Sequence, residues 1–306
     1  LRRELELRLV EGRGSRGVRG EAHLEDTTLP GRATSSPMPS GHLPPNESSP
    51  VHAERDWEAT AVVNIHNLPV QLSTFIGRKN EIAEVIQWLA THRLVTLTGE
   101  GGCGKTRLAM QTASIMLQKF AGGVWLIEFA PVVDPVFVVQ VTAAAVGVRE
   151  QPACPLSETL ADHLRHRPAL LLFDNCEHLL AACAQLATTL LQSCPDLHIL
   201  ATSREPLGVA GEVAWGVPPL SLPEPQPWQD PASSNAALAV YEQSEAVRLF
   251  IARAMAVSPS FTLSIENGAW VAEICRRLDG MPLAIELAAA RVRALSVREI
   301  AQRLDD

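Results

Sequence analysis

Eight residues, Gly99-Glu100-Gly101-Gly102-Cys103-Gly104-Lys105-Thr106, constrain this chain more than any other stretch. They fit the pattern G-x-x-x-x-G-K-[ST], and the flanking sequence supplies the context that the pattern needs. Leu94-Val95-Thr96-Leu97-Thr98 reads as a buried strand, and a helix begins at Lys105. A glycine-rich turn between such a strand and such a helix aims backbone N–H groups at phosphate oxygens. Lys105 then supplies a point charge for the β- and γ-phosphates, and the Thr106 hydroxyl a ligand for Mg2+. Arg107, one residue further into the helix, is counted with the loop among the nucleotide-binding residues. Cys103 is expected to contribute its backbone, as a small residue.

The same glycines allow a second reading. Gly99, Gly101 and Gly104 also spell G-x-G-x-x-G, and Glu128 at the end of the next strand could play the ribose-binding acid of a dinucleotide site. Such a turn gives no reason for Lys105-Thr106, nor for an acid on a later strand. That acid is Asp174, which ends the apolar run Leu170-Leu171-Leu172-Phe173. A hydrophobic strand with one carboxylate at its C-terminal end is what a P-loop Mg2+ site requires.

Hydrolysis also needs a group that orients or deprotonates water. Asn175 cannot accept a proton, so Glu177 is the candidate base; as an alternative, Glu177 only favours the positive end of the helix that starts near Leu179. The strand His198–Ser203 ends at Arg204, a cation placed to sense the γ-phosphate; its alternative is a surface pairing with Glu205. His178 reads as a packing residue, and the scattered His residues have no metal spacing.

Around these motifs the chain divides. Residues 1–66 are rich in Gly, Pro, Ser and Arg without apolar periodicity, and are expected to be disordered. Strands are expected at Leu94–Thr98, Val124–Phe129, Leu170–Asp174, His198–Ser203 and Val213–Val217. Helices are expected at Lys105–Gln118, Pro135–Val146, Leu156–Leu164 and Leu179–Gln192. This alternation predicts an α/β, mostly parallel, doubly wound sheet over residues 67–222. A Pro-rich linker follows at 223–240, and then an all-α region, 241–306, with helices at Glu242–Ala256, Ala269–Leu278, Pro282–Leu295 and Val297–Leu304.

Composition excludes several classes. The 306 residues carry a formal net charge of -8, which gives no whole-chain footprint for nucleic acid. Neither a helix-turn-helix nor a basic helix is recognisable, so direct DNA binding by this chain is not expected; arginines of the N-terminal segment are interleaved with Glu. Six cysteines lack C-x-x-C spacing, no apolar run is long enough to span a bilayer, and no secretory signal is evident. A cytoplasmic location is the expectation. The initial Leu suggests a fragment, a processed chain or a non-standard start.

The motif set resembles the signal-transduction ATPases with numerous domains (STAND), and especially the NB-ARC-like ATPases of bacterial LuxR-type and SARP-type transcriptional regulators. Phe75-Ile76-Gly77-Arg78, followed by Glu81, is similar to the hhGRxxE element that precedes the P-loop there. Thr202-Ser203-Arg204-Glu205-Pro206-Leu207 is similar to the sensor strand, and Gly280-Met281-Pro282-Leu283-Ala284-Ile285 to the GLPLA motif of a helical lid. The resemblance covers roughly Leu68 to the C-terminus. It implies that Ile76 and Arg78 lie near the adenine, that Pro282 packs over the nucleotide, and that the module switches between an ADP-closed and an ATP-open state. Many NB-ARC members carry a second acid directly after the strand Asp; Asn175 stands there, so fast turnover is not expected. Expected partners are ATP or ADP with Mg2+, other domains or proteins met through the lid, and a second copy in a nucleotide-dependent self-association.

Overall fold

The computed structural model describes residues 65–152, 154–224 and 238–304. The segment expected to be disordered lies outside these residues except for its last two positions, as does most of the expected linker.

Five strands form one sheet: β1 (Leu94–Thr98), β2 (Gly123–Glu128), β3 (Ala169–Asp174), β4 (Leu197–Thr202) and β5 (Glu212–Gly216). Their order is β2-β3-β4-β1-β5, and every pairing is parallel. The α/β reading therefore holds. β1 has the expected limits, and the other strands begin one residue earlier than expected. Every residue of β3 is buried, because helices cover both faces of a parallel sheet. Its side chains alternate between two cores. Leu170 and Leu172 face α1 (Lys79–Thr91) and α2 (Lys105–Ile115) through Val85, Leu89, Leu108 and Ala113. Leu171 and Phe173 face α3 (Val138–Val146), α4 (Leu156–Leu164) and α5 (Leu180–Ser193) through Val146, Leu160, Leu186 and Leu190. Truncating a residue such as Leu171 to Ala removes about 2–5 kcal/mol of stability by the usual cavity cost.

α1 is not among the expected helices. Its apolar residues Ile82, Val85, Ile86 and Leu89 recur at the spacing of one helical face. Two expected helices tighten at one end. α2 gives way to a 3-10 turn over Leu117–Lys119, and the segment expected from Pro135 opens as a 3-10 turn, with Asp134 accepting from the Val136 N–H, before α3 begins.

The all-α region contains α6 (Glu245–Val257), α7 (Gly268–Arg277), α8 (Pro282–Ala289) and α9 (Val297–Gln302). These helices bury a core of their own around Phe250, Val271, Ile274, Ile285 and Ile300. Ser244 caps α6, and Ser296 with Glu299 forms a reciprocal capping box on α9. Expected as one helix to Leu295, the α8 segment is α-helical only to Ala289 and continues as a 3-10 turn over Ala290–Arg293.

The outer edge of β2 is covered by residues 65–67. His66 bridges Val124 in parallel, and the Ile65 carbonyl accepts from the Val124 N–H. Asn67 then uses its side chain as a strand uses its backbone: Oδ1 accepts from the Leu126 N–H at 2.6 Å and Nδ2 donates to the Leu126 carbonyl at 2.9 Å. No helix among the described residues is long and apolar enough to cross a membrane.

Candidate functional site

The site assembles at the carboxyl ends of β1, β3 and β4, where open α/β sheets offer a crevice. Glycine is required in the loop after β1 for reasons of geometry. Gly104 is the N-cap of α2 with φ +91°, a left-handed conformation costly for other residues. A Cβ there would also meet the Arg78 guanidinium and Pro282 at 3.5–3.7 Å. Gly102, at φ +83°, would meet Leu283 at 3.0 Å.

Lys105 turns back over the loop. Its Nζ donates to the carbonyls of Gly99 at 2.8 Å and Glu100 at 2.9 Å, which uses two of its three N–H donors. Thr106 Oγ1 donates to Asp174 Oδ1 at 2.6 Å. The loop and the tip of β3, 68 residues apart, thus share one short contact. Asp174 is 9% exposed.

A third residue belongs here, and sequence reading missed it as such. Thr202, at the end of β4, donates to the same Asp174 Oδ1 at 2.7 Å and accepts from the Asn175 N–H at 3.0 Å. Asn175 adopts φ +64°, ψ +54°, which turns the chain sharply after Asp174. Two hydroxyls converging on Oδ1 fix the carboxylate. The sequence signal for Thr202 is its place two residues before Arg204 in the sensor motif.

Glu177 follows in the 3-10 turn Cys176–His178. Its Oε1 pairs with Arg204 Nε at 3.5 Å, and its Oε2 is buried without a hydrogen-bond partner. Arg204 therefore pairs across the site with the candidate base and not with its neighbour Glu205. Its Nη2 lies 3.8 Å from where a Cβ on Gly101 would stand. His178 Nε2–H donates to the Val132 carbonyl at 2.8 Å, which ties the turn to the adjoining loop.

The residues singled out by resemblance lie on the other side of the loop. The Arg78 side chain is 3% exposed; its Nη2 donates to the Cys103 carbonyl at 2.6 Å and to the Pro218 carbonyl at 3.0 Å. Burial pushes its pKa down, opposed by neighbouring Cys103, Glu81 and Glu245. Nη1 is buried and has no partner. Ile76 packs against the core of the helical region. Pro282 is the first residue of α8, and the next N–H, that of Leu283, donates to the Gly102 carbonyl at 3.2 Å. The helical region thus rests on the loop. Arg107 directs its guanidinium away from the loop, to Glu286 of α8 at 3.3 Å and to the Ser73 and Thr74 carbonyls. Arg253 of α6 shares Glu286 at 2.9 Å.

Topology decides against the dinucleotide reading. Glu128 ends β2, and β3 and β4 lie between β2 and β1. At the usual interstrand spacing that separation is about 14 Å, out of reach of a ribose bound at the β1 turn.

The donors present suit a magnesium nucleotide. Thr106 and Asp174 offer hard oxygen ligands, and Mg2+ commonly takes one or two protein oxygens and completes its shell with water and phosphate. Among the described residues no cluster of three or more His, Cys, Asp or Glu could hold a metal unaided. All six cysteines are free thiols.

No protein-family model matches the chain. The Mycobacterium tuberculosis (strain H37Rv) protein named "Putative HTH-type transcriptional regulator Rv0890c" is 48% identical over 218 residues, 71% of this chain and 22% of its own length. From the same organism, "Uncharacterized protein Rv0894" is 42% identical over 241 residues, 79% of this chain and 56% of its own. The chain therefore spans only part of these curated relatives. Among solved structures, a Walker-type ATPase of Pyrococcus abyssi is 14% identical and aligns over 78% of this chain and 74% of its own with a TM-score of 0.48. A STAND protein with a tetratricopeptide repeat sensor from Pyrococcus horikoshii is 14% identical, over 78% of this chain and 33% of its own, with a TM-score of 0.47.

Proposed function

We propose that this chain is an ATP- and ADP-binding, Mg2+-dependent regulatory module of the STAND, NB-ARC-like class. It acts in the cytoplasm as a nucleotide-controlled switch in signal transduction or transcriptional regulation, with slow ATP hydrolysis. Residues 67–222 form its nucleotide core, 223–240 a linker and 241–306 a lid. The observation that carries this reading is the 2.6 Å contact between Thr106 of the loop and Asp174 of β3, the two residues that the reading assigns to Mg2+. The 48% identity to a protein carrying a transcriptional-regulator name supports the regulatory part.

In this reading Gly99 to Gly104 present backbone donors to phosphate, and Lys105 exchanges a carbonyl partner for phosphate oxygens. Thr106 and Asp174 hold Mg2+, with Thr202 keeping the carboxylate in place. Bound Mg2+ supplies charge neutralisation at the phosphates. Ile76 and Arg78 enclose the nucleotide from the segment before α1, and Pro282 from the lid. Arg204 responds to the γ-phosphate, and Glu177 accepts the proton from water.

A switch that binds nucleotide with negligible turnover is the second reading. Two observations favour it: Asn175 offers no base after Asp174, and Glu177 is already paired with Arg204.

Titration of the purified chain with fluorescent ADP and ATP in Mg2+, alongside Lys105→Ala, tests the proposal. Micromolar or tighter binding is expected in the parent chain. A loss of at least about 100-fold is expected in the variant, because an uncompensated phosphate charge costs several kcal/mol. Equal binding in both would overturn the reading. Phosphate release in the same samples separates slow hydrolysis from a pure switch.

A further inference from the structure

We infer that Glu245 of the lid is a positioning residue for the nucleotide site, and that it conveys lid position to the phosphate loop through Arg78. This deepens the reading above and rests on it for its ligand.

α1 has no side-chain cap of its own. Its N-cap is Arg78 at φ +60°, ψ +30°, a left-handed conformation that leaves the Arg78 N–H pointing away from the helix. That N–H donates to Glu245 Oε1, a carboxylate 167 residues away in the first turn of α6. An anion at the amino end of a helix satisfies an orphan donor and the helix dipole together. The lid therefore supplies the cap that the core helix lacks. The other oxygen, Oε2, faces the Ser221 N–H at 3.5 Å, so the carboxylate also ties the chain leaving β5.

The approach is built for a carboxylate. A Cβ on Gly77 would overlap the Glu245 side chain at 2.5–2.8 Å, and Gly77 itself sits at φ +73°. The guanidinium of the capped residue continues the path: Arg78 Nη2 bonds the Cys103 carbonyl inside the phosphate loop. Lid carboxylate, Arg78 backbone, Arg78 side chain and loop carbonyl form one run of contacts, buried at Arg78. Movement of the lid that withdraws Glu245 uncaps α1, frees Gly77-Arg78 to leave its left-handed turn, and releases Cys103. The loop then loses one of the bonds that shape it for phosphate.

Two measurements on the full chain test the inference, with Glu245→Ala and the neutral acceptor variant Glu245→Gln. Amide hydrogen exchange is expected to quicken at Arg78, at the first turn of α1 and across Gly102–Gly104 in Glu245→Ala. Exchange at Phe250–Ala254 of α6 is expected to stay close to that of the parent, which separates a coupling role from loss of the lid fold. Release of fluorescent ADP is expected to be about tenfold faster in Glu245→Ala and intermediate in Glu245→Gln, the scale of one lost charge-assisted bond. If Glu245→Ala fails to fold, Glu245→Gln decides. Unchanged exchange at α1 and the loop in a folded variant overturns the inference. Failure of the parent chain to bind ADP would sink the nucleotide reading instead, and the exchange pattern would still decide the coupling.

Discussion

At the scale of single residues, the site depends on shared acceptors more than on isolated charges. Asp174 Oδ1 receives both Thr106 and Thr202, so in the proposed reading Mg2+ at Thr106 would leave Thr202 as the hydroxyl that keeps the carboxylate aligned. Thr202→Val keeps the shape and removes that hydroxyl. It also strips the Asn175 N–H of its acceptor. Mg2+-dependent ATP affinity is expected to fall about tenfold, the scale of one lost bond to a charged group, with a smaller change when Mg2+ is chelated. Equal losses in the two titrations would mean that Thr202 supports the fold and not the metal. The residues that carry charge here, Lys105, Asp174 and Arg204, were legible because each sits at the end of a strand or the start of a helix in a recognisable pattern. Thr202 was not, because a Thr at a strand end is also an ordinary β residue, and its meaning comes from a partner 28 positions away.

Among the elements, the contact between the phosphate loop and α8 is close enough to be felt by one methyl group. Gly102→Ala forces a side chain into a left-handed turn and against Leu283. A loss of about 1–3 kcal/mol in urea unfolding is expected from these two costs together. The double variant with Leu283→Ala should regain the part due to Leu283 Cδ2, at 3.1 Å, while the 3.0 Å contact with Cβ stays; strict additivity would assign the cost to the backbone conformation and that Cβ contact. Alternating strands and helices were readable because β3 and its neighbours are apolar runs bounded by turn residues. The omission of α1 has a different cause. Its periodicity at Ile82, Val85, Ile86 and Leu89 is plain, but its N-cap Arg78 and its first-turn Glu81 also spell a binding motif, which masks the start of a helix. The seam between lid and core could not be read at all. Glu286 gathers Arg107 and Arg253 from elements 179 and 33 positions away, and Glu245 finds Arg78 at 167; no local pattern announces such pairs.

For the whole molecule, acidity offers a simple probe. Burial, the largest cause, holds the His198 pKa below its ordinary value while the ring lies edge-on to Phe120 at 5.3 Å, and burial with Arg167 does the same for His163. Both groups favour the neutral form in the folded chain, so the unfolded chain binds more protons near neutral pH. Their stabilising contribution is complete above the unfolded value of about 6.5 and is lost as pH falls through that value toward the folded one. Tm is therefore expected to be lower at about pH 5.5 than at about pH 7.5, with a shallower slope in His198→Gln; identical slopes would assign the effect to other groups. One feature of the sheet reaches beyond this chain. An open strand edge presents unpaired N–H and C=O groups, a template with which another polypeptide can pair. At β2 the template is filled by an amide side chain: the Asn67 carboxamide stands in for a peptide group at Leu126. The Asn67 carboxamide, together with the backbone of residues 65–67, thus occupies the pairing groups of β2 at Val124 and Leu126 and withdraws that stretch of edge from any other strand.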